Sequence, residues 1–83
     1  MVATIIRLLG SEASVSSANS FNGNKLIRIY NQNDADVLVT VTNADLAVVG
    51  TVTVKTKETI YINKAGTDTI TAATACKMVP VAF

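Results

Sequence analysis

The chain has 83 residues, of which 49% are hydrophobic and only 16% charged, with a net charge of +1, a single cysteine and no histidine. That length makes one domain, residues 1–83, with a thin core, since roughly 60% of the unfolded surface is buried at this size. One thiol and no imidazole exclude an internal disulfide and a zinc site, and a near-neutral chain without a basic run offers no surface for displacing counterions from nucleic acid.

Val, Ile and Thr arrive in short runs separated by Asn, Asp, Gly and Ser, the pattern of an all-β chain. The first run is Val2 to Leu9. Ile6 and Leu8 fall on one face and Ile5 and Leu9 on the other, which predicts a strand covered on both sides. No basic leader precedes it, so it reads as a strand and not as a signal peptide. Ser11 to Asn24 is small and polar, a loop with a weak edge strand near Ala13 to Ser17. Asn22-Gly23 is a turn signal, because both residues tolerate positive φ.

Lys25 to Asn31 alternates, with Ile27 and Ile29 opposed to Arg28 and Tyr30. Val37 to Asn43 alternates again, with Val37, Val39 and Val41 on one face. A short polar turn, Asn31 to Asp36, separates the two runs, which predicts an antiparallel hairpin. Leu46 to Lys55 follows, with Gly50 as a bulge and Val52 and Val54 inward. Thr59 to Asn63 turns Ile60 and Ile62 inward and Tyr61 outward. After a loop, Thr67 or Asp68 is placed to cap one helical turn over Ile70 to Ala73. The last strand is Lys77 to Phe83, where Pro80 requires an edge or a bulge. Six or seven short strands with short connections predict a small antiparallel β-sandwich or barrel. The predicted core is Ile27, Ile29, Val39, Val41, Val52, Val54, Ile60 and Ile62.

The chemistry-bearing residues do not assemble into a site. Without histidine the Ser-His-Asp and Cys-His arrangements are excluded, and nothing pairs Lys64 or Lys77 with a particular serine. Cys76 stands next to Lys77, a cation that lowers a thiol pKa when it is close; a lone cysteine otherwise behaves as a small buried hydrophobe. Asp34 and Asp36 are the one close carboxylate pair. With Asn31 and Asn33 they offer oxygen ligands for calcium, but the run lacks the glycine and closing glutamate of a calcium loop and fits turn chemistry. Tyr30 and Tyr61 are candidates for a stacking platform. The expectation is therefore no enzyme: no catalytic, cofactor-binding or metal-binding residue, no cofactor, no nucleic-acid partner, and no membrane partner, since no apolar run approaches the ~20 residues of a span.

Small cores without staples are commonly stabilised by association. The apolar excess is either ordinary surface exposure or surface that a partner covers. Leu46 to Val54 carries no charge to blunt an edge strand, and Val81-Ala82-Phe83 is apolar where chain ends are usually polar and frayed. Association through edge strands or apolar faces is the expectation, with Asn22, Asn33 and Asp34 facing solvent.

Three stretches carry a family resemblance: Lys25-Leu26-Ile27-Arg28-Ile29-Tyr30-Asn31, then Glu58-Thr59-Ile60-Tyr61-Ile62-Asn63-Lys64, then Thr67-Asp68-Thr69-Ile70 leading to Val79-Pro80-Val81-Ala82-Phe83. In this order they resemble small virion structural proteins of tailed phages, especially those of marine bacteria. The sequence departs from that pattern at Ala65-Gly66, where a proline is expected. The resemblance implies a β-domain made in the host cytoplasm and present in many copies on the virion. It would contact other copies of itself and the major capsid protein or other virion proteins. Small size favours capsid decoration, a cementing role on the head; neck and tail positions, and a small carbohydrate-binding module, are the alternatives.

Overall fold

A computed structural model of the chain describes residues 5–82. Among the described residues there are eight strands: β1 (Arg7–Leu8), β2 (Ala13–Val15), β3 (Leu26–Tyr30), β4 (Val37–Thr42), β5 (Val48–Val54), β6 (Thr59–Asn63), β7 (Thr69–Ala72) and β8 (Cys76–Ala82). They form two antiparallel sheets that face each other as a sandwich and do not close into a barrel. In the first, β8 pairs with β1 and β2 on one side and with β3 on the other, and β3 pairs with β6. The second has the order β5-β4-β7. A 3-10 turn at Phe21–Gly23 carries the predicted Asn22-Gly23 reversal, with φ of 55° and 79° at those two residues.

The period-two patterns build the core. Ile27, Ile29, Val39 and Val54 are fully buried, and Val41, Ile60 and Ile62 are partly buried against them. Val52 is the exception, 40% exposed although it shares its face with Val54. It lies on β5 at the sheet margin, where β6 does not reach across to pair. The core also takes Val15, Phe21, Val37, Ile70, Ala72, Cys76 and Met78.

The predicted hairpin of β3 with β4 does not form: these strands sit in different sheets. Asn31 makes the crossing possible. It is fully buried, and its Nδ2 donates to the carbonyls of Ala35 (2.9 Å) and Val54 (3.0 Å). Its Oδ1 accepts from the N and Nδ2 of Asn33, while its own backbone N–H donates to Glu58 O and its carbonyl accepts from Lys57 N. The side chain thus replaces the ladder bonds a hairpin would supply, so that the chain can leave one sheet for the other. Asn33 is held inward by the same network, donating also to Ala75 O, and does not face solvent freely; Asn22 and Asp34 are exposed.

Three further expectations change. The segment expected to form a helical turn is strand β7, because Ile70 and Ala72 alternate with Thr69 and Thr71 and bury their side chains against β4. Asp68 does cap locally, its Oδ2 accepting from Ala65 N, but it closes a turn before the strand. Pro80 lies in the central strand β8, at neither an edge nor a bulge. It is accommodated because β2 and β1 leave a gap in the ladder around Gly10, and Pro80 O accepts from Leu9 N instead (2.9 Å). A Cβ on Gly10 would come within 3.3 Å of the Pro80 ring, so a larger residue there crowds it. The first run contributes only Arg7–Leu8 as strand, with Ile5, Leu8 and Leu9 exposed; Val2 to Thr4 lie outside the described residues, as does Phe83.

One side of the sandwich is seamed. Beyond β2, Ser16 O accepts from Ala72 N, and Asn19 exchanges two backbone bonds with Ile70. The chain therefore runs from an edge of the first sheet onto β7 of the second. The opposite side is bounded by β5 and β6, each paired on one side only among the described residues.

Candidate interaction surface

The structure disperses the chemistry-bearing residues. Cys76 is fully buried at the start of β8, with its Sγ 3.5 Å from Thr74 O. Burial pushes its thiol pKa up. Lys77 points to the opposite face, where its Nζ donates to Ser14 Oγ (2.9 Å), so it does not assist a thiolate. Cys76 is a core residue. Asp34 pairs with Lys57 (3.4 Å), and Asp36 Oδ1 accepts from Thr56 N; both carboxylates serve the turn that carries them. No group of three His, Cys, Asp or Glu residues comes together among the described residues.

A cleft of about 320 Å³ lies between the Leu9–Ala13 segment and the Phe21 turn. Leu9, Phe21, Met78 and Pro80 give it an apolar floor, and Ser11, Asn19 and Asn22 rim it. None of its lining residues titrates near neutral pH. Tyr30 and Tyr61 are brought together: in the β3–β6 register Tyr61 stands opposite Arg28 and Tyr30 opposite Thr59, so both rings share the outer face of the first sheet. Arg28 between them reaches Glu12 (3.2 Å).

Lys64 is the one buried cation among the described residues, 4% exposed, at the end of β6. Its Nζ donates to Ala65 O at 3.3 Å. Burial lowers its pKa from 10.5, and the nearby Asp68 carboxylate opposes part of that shift. The folded state therefore disfavours the ammonium, and this penalty is fully present below the lowered pKa. Between the lowered value and 10.5 the unfolded chain holds a proton that the folded chain has released, so stability gains as pH rises through that window. Lys64→Met is expected to be more stable than the wild type at pH 7, with the difference shrinking towards pH 10.5. Urea melts of both proteins across that range check it. Cys76 acts in the opposite sense above pH 9 but does so equally in both proteins and cancels.

Most of the exposed large hydrophobic side chains among the described residues lie on and beside β5. Leu46 (87%), Val48 (63%) and Val49 (60%) are exposed, with Leu38 of β4 on the outer face and Val52 at the inner margin. The uncharged run Leu46 to Val54 signals this surface in the sequence. Leu38 is missed there because it lies in the outward phase of a run whose inward phase is valine. The backbone is open too. Leu38 O accepts from Ala73 N, so in the β4–β7 register Leu38, Thr40 and Thr42 bond towards β7. Val37, Val39 and Val41 then bond towards β5, and engage Val54, Val52 and Gly50. By alternation the N–H and C=O groups of Thr51 and Thr53 point away from β4, along the open edge. The register shift between Val41 and Thr42 makes Val49 the extra residue of a bulge beside Gly50.

No family model matches the chain, and no curated protein or solved structure matches it.

Proposed function

We propose that the chain is a non-enzymatic structural protein of a virus particle, present in many copies and decorating the capsid. The observation that carries this reading is the β5 margin. A small, well-satisfied sandwich presents an uncharged, apolar strand with open backbone groups, where proteins that act alone usually place charge. The stretches from Lys25 to Phe83 that in their order resemble phage virion proteins point the same way. They fall on β3, on β6, and on β7 with β8, so the resemblance follows the framework of the sandwich. Its partners would be other copies of itself and the capsid protein; a neck or tail position is the alternative within the particle.

The test is protein identification in gradient-purified particles from the culture that makes this chain. The expected result is an abundant band that stays with heads when heads and tails are separated. Enrichment with tails would move the protein to the neck or tail, and absence from the particles would end the reading. A carbohydrate-binding module is the second reading, favoured by the shared face of Tyr30 and Tyr61; binding on a glycan array that is lost in Tyr61→Ala would support it in place of the first.

A further inference from the structure

We infer that β5 is a homodimer interface, in which two copies pair their β5 strands antiparallel about a two-fold axis through Thr51 and join their three-stranded sheets into one of six strands. An isologous interface requires a patch that complements itself, and β5 does so in three respects. The backbone groups that face the edge include those of Thr51, so the two Thr51 residues can exchange both of their hydrogen bonds across the axis, in a ladder that ends at the Val49 bulge of each copy. The side chains alternate in size: Val52, 40% exposed, falls opposite Gly50 of the second copy, and a Cβ at Gly50 would meet nothing within 4 Å. Each copy therefore offers a protruding valine to an empty position.

The charges fit only this direction. Asp45 precedes the strand and Lys55 follows it. Antiparallel pairing about Thr51 brings the Lys55 end of one copy to the Asp45 end of the other, whereas parallel pairing sets lysine on lysine. The acidic groups at the Lys55 end are engaged within the chain. Glu58 Oε1 accepts from Lys55 N, Asp36 from Thr56 N, and Asp34 pairs with Lys57. Strand addition at an open edge is a general mode of protein association, and here the strand that fits is its own copy.

The experiment is sedimentation of the purified chain at tens of micromolar. A dimer is expected. Thr51→Pro removes an N–H that faces the edge and none that bonds to β4, so it is expected to keep the β spectrum and a cooperative melt while sedimenting as a monomer. Thr51→Cys, treated with a short bifunctional thiol reagent, is expected to give covalent dimers, since Cys76 is fully buried; this variant decides the matter if Thr51→Pro does not fold. Thr59→Cys on β6 is the control. A wild-type monomer at every concentration, a folded Thr51→Pro dimer, or crosslinking through Thr59→Cys in place of Thr51→Cys would each overturn the inference. The dimer rests on the same β5 margin as the virion reading, and the two fail separately: a chain that dimerises through Thr51 and is missing from particles removes the virion reading alone.

Discussion

Ile29→Asp is expected to leave no folded protein. Ile29 is fully buried in β3, opposite Ile60 on one side and Met78 on the other. Removing the isoleucine forfeits roughly 1.5–3 kcal/mol of burial. The carboxylate that replaces it must either ionise without a partner or take up a proton, and either costs several kcal/mol more. Domains of this kind hold about 5–15 kcal/mol in total, and small ones sit near the bottom of that range. Circular dichroism and a thermal melt check the outcome: no cooperative transition should be seen. A folded Ile29→Asp protein would mean that the inward face of β3 has been assigned the wrong way round. Ile29→Ala, which leaves a cavity but no charge, is expected to lose about 2–5 kcal/mol and to show a weakened but cooperative transition.

Asn31→Ala is expected to cost nearly as much, for a different reason. Its amide donates to Ala35 and Val54 and accepts twice from Asn33. Truncation leaves the buried Val54 carbonyl without this donor and removes a partner from Ala35 O and from Asn33, at about 1–3 kcal/mol for each group that water cannot reach. A total loss on the order of 3 kcal/mol follows if most of these groups stay dry. Asn31→Asp keeps the shape and the two accepted bonds but turns both donated bonds into repulsions between oxygens, so it should rescue little. Chemical denaturation of both variants distinguishes this from a packing effect: Asn31→Leu, which restores apolar volume, should be no better than alanine. The contribution is local to the crossing between sheets, and the Ile27–Ile29 core should keep its native signature where folding survives.

Alternation made the strands legible. Ile27 and Ile29, Val37 and Val39, and Ile60 and Ile62 each mark an inward face that the structure keeps, because a one-residue slip would expose every one of them. Strand partnership was not legible. A hairpin and a crossing between sheets both read as two alternating runs around a polar turn, and the difference lies in how Asn31 uses four hydrogen bonds, which no spacing encodes. β7 was misread because Thr67-Asp68 serves equally as a helix cap and as a turn, and four residues are too few for periodicity to outweigh it. Val52 was misread because its phase is inward but its strand lies at the margin; period reports the face, and only topology reports whether anything covers that face. Cys76 was legible in kind, as a small hydrophobe, and the uncharged Leu46 to Val54 run announced an open edge. Which residues of that edge bond outward depends on the β4–β7 register, and sequence alone does not hold it.

The central place of β8 sets the order in which this chain can fold. β4 pairs with β5 across a short turn, and β3 with β6 across a longer stretch that contains β4 and β5. The first sheet is different: β1, β2 and β3 have no ladder with one another and meet only through β8, the last of the strands. During synthesis, β3 keeps the backbone edge that faces β8 unpaired until Cys76–Ala82 has left the ribosome. Pairings of such long sequence separation are slow, in the range of milliseconds to seconds for small β proteins, and exposed strands invite association with other chains in the interval. The nascent protein is thus most vulnerable just before β8 emerges, and slower translation there lengthens the time in which β3 can pair with the wrong chain.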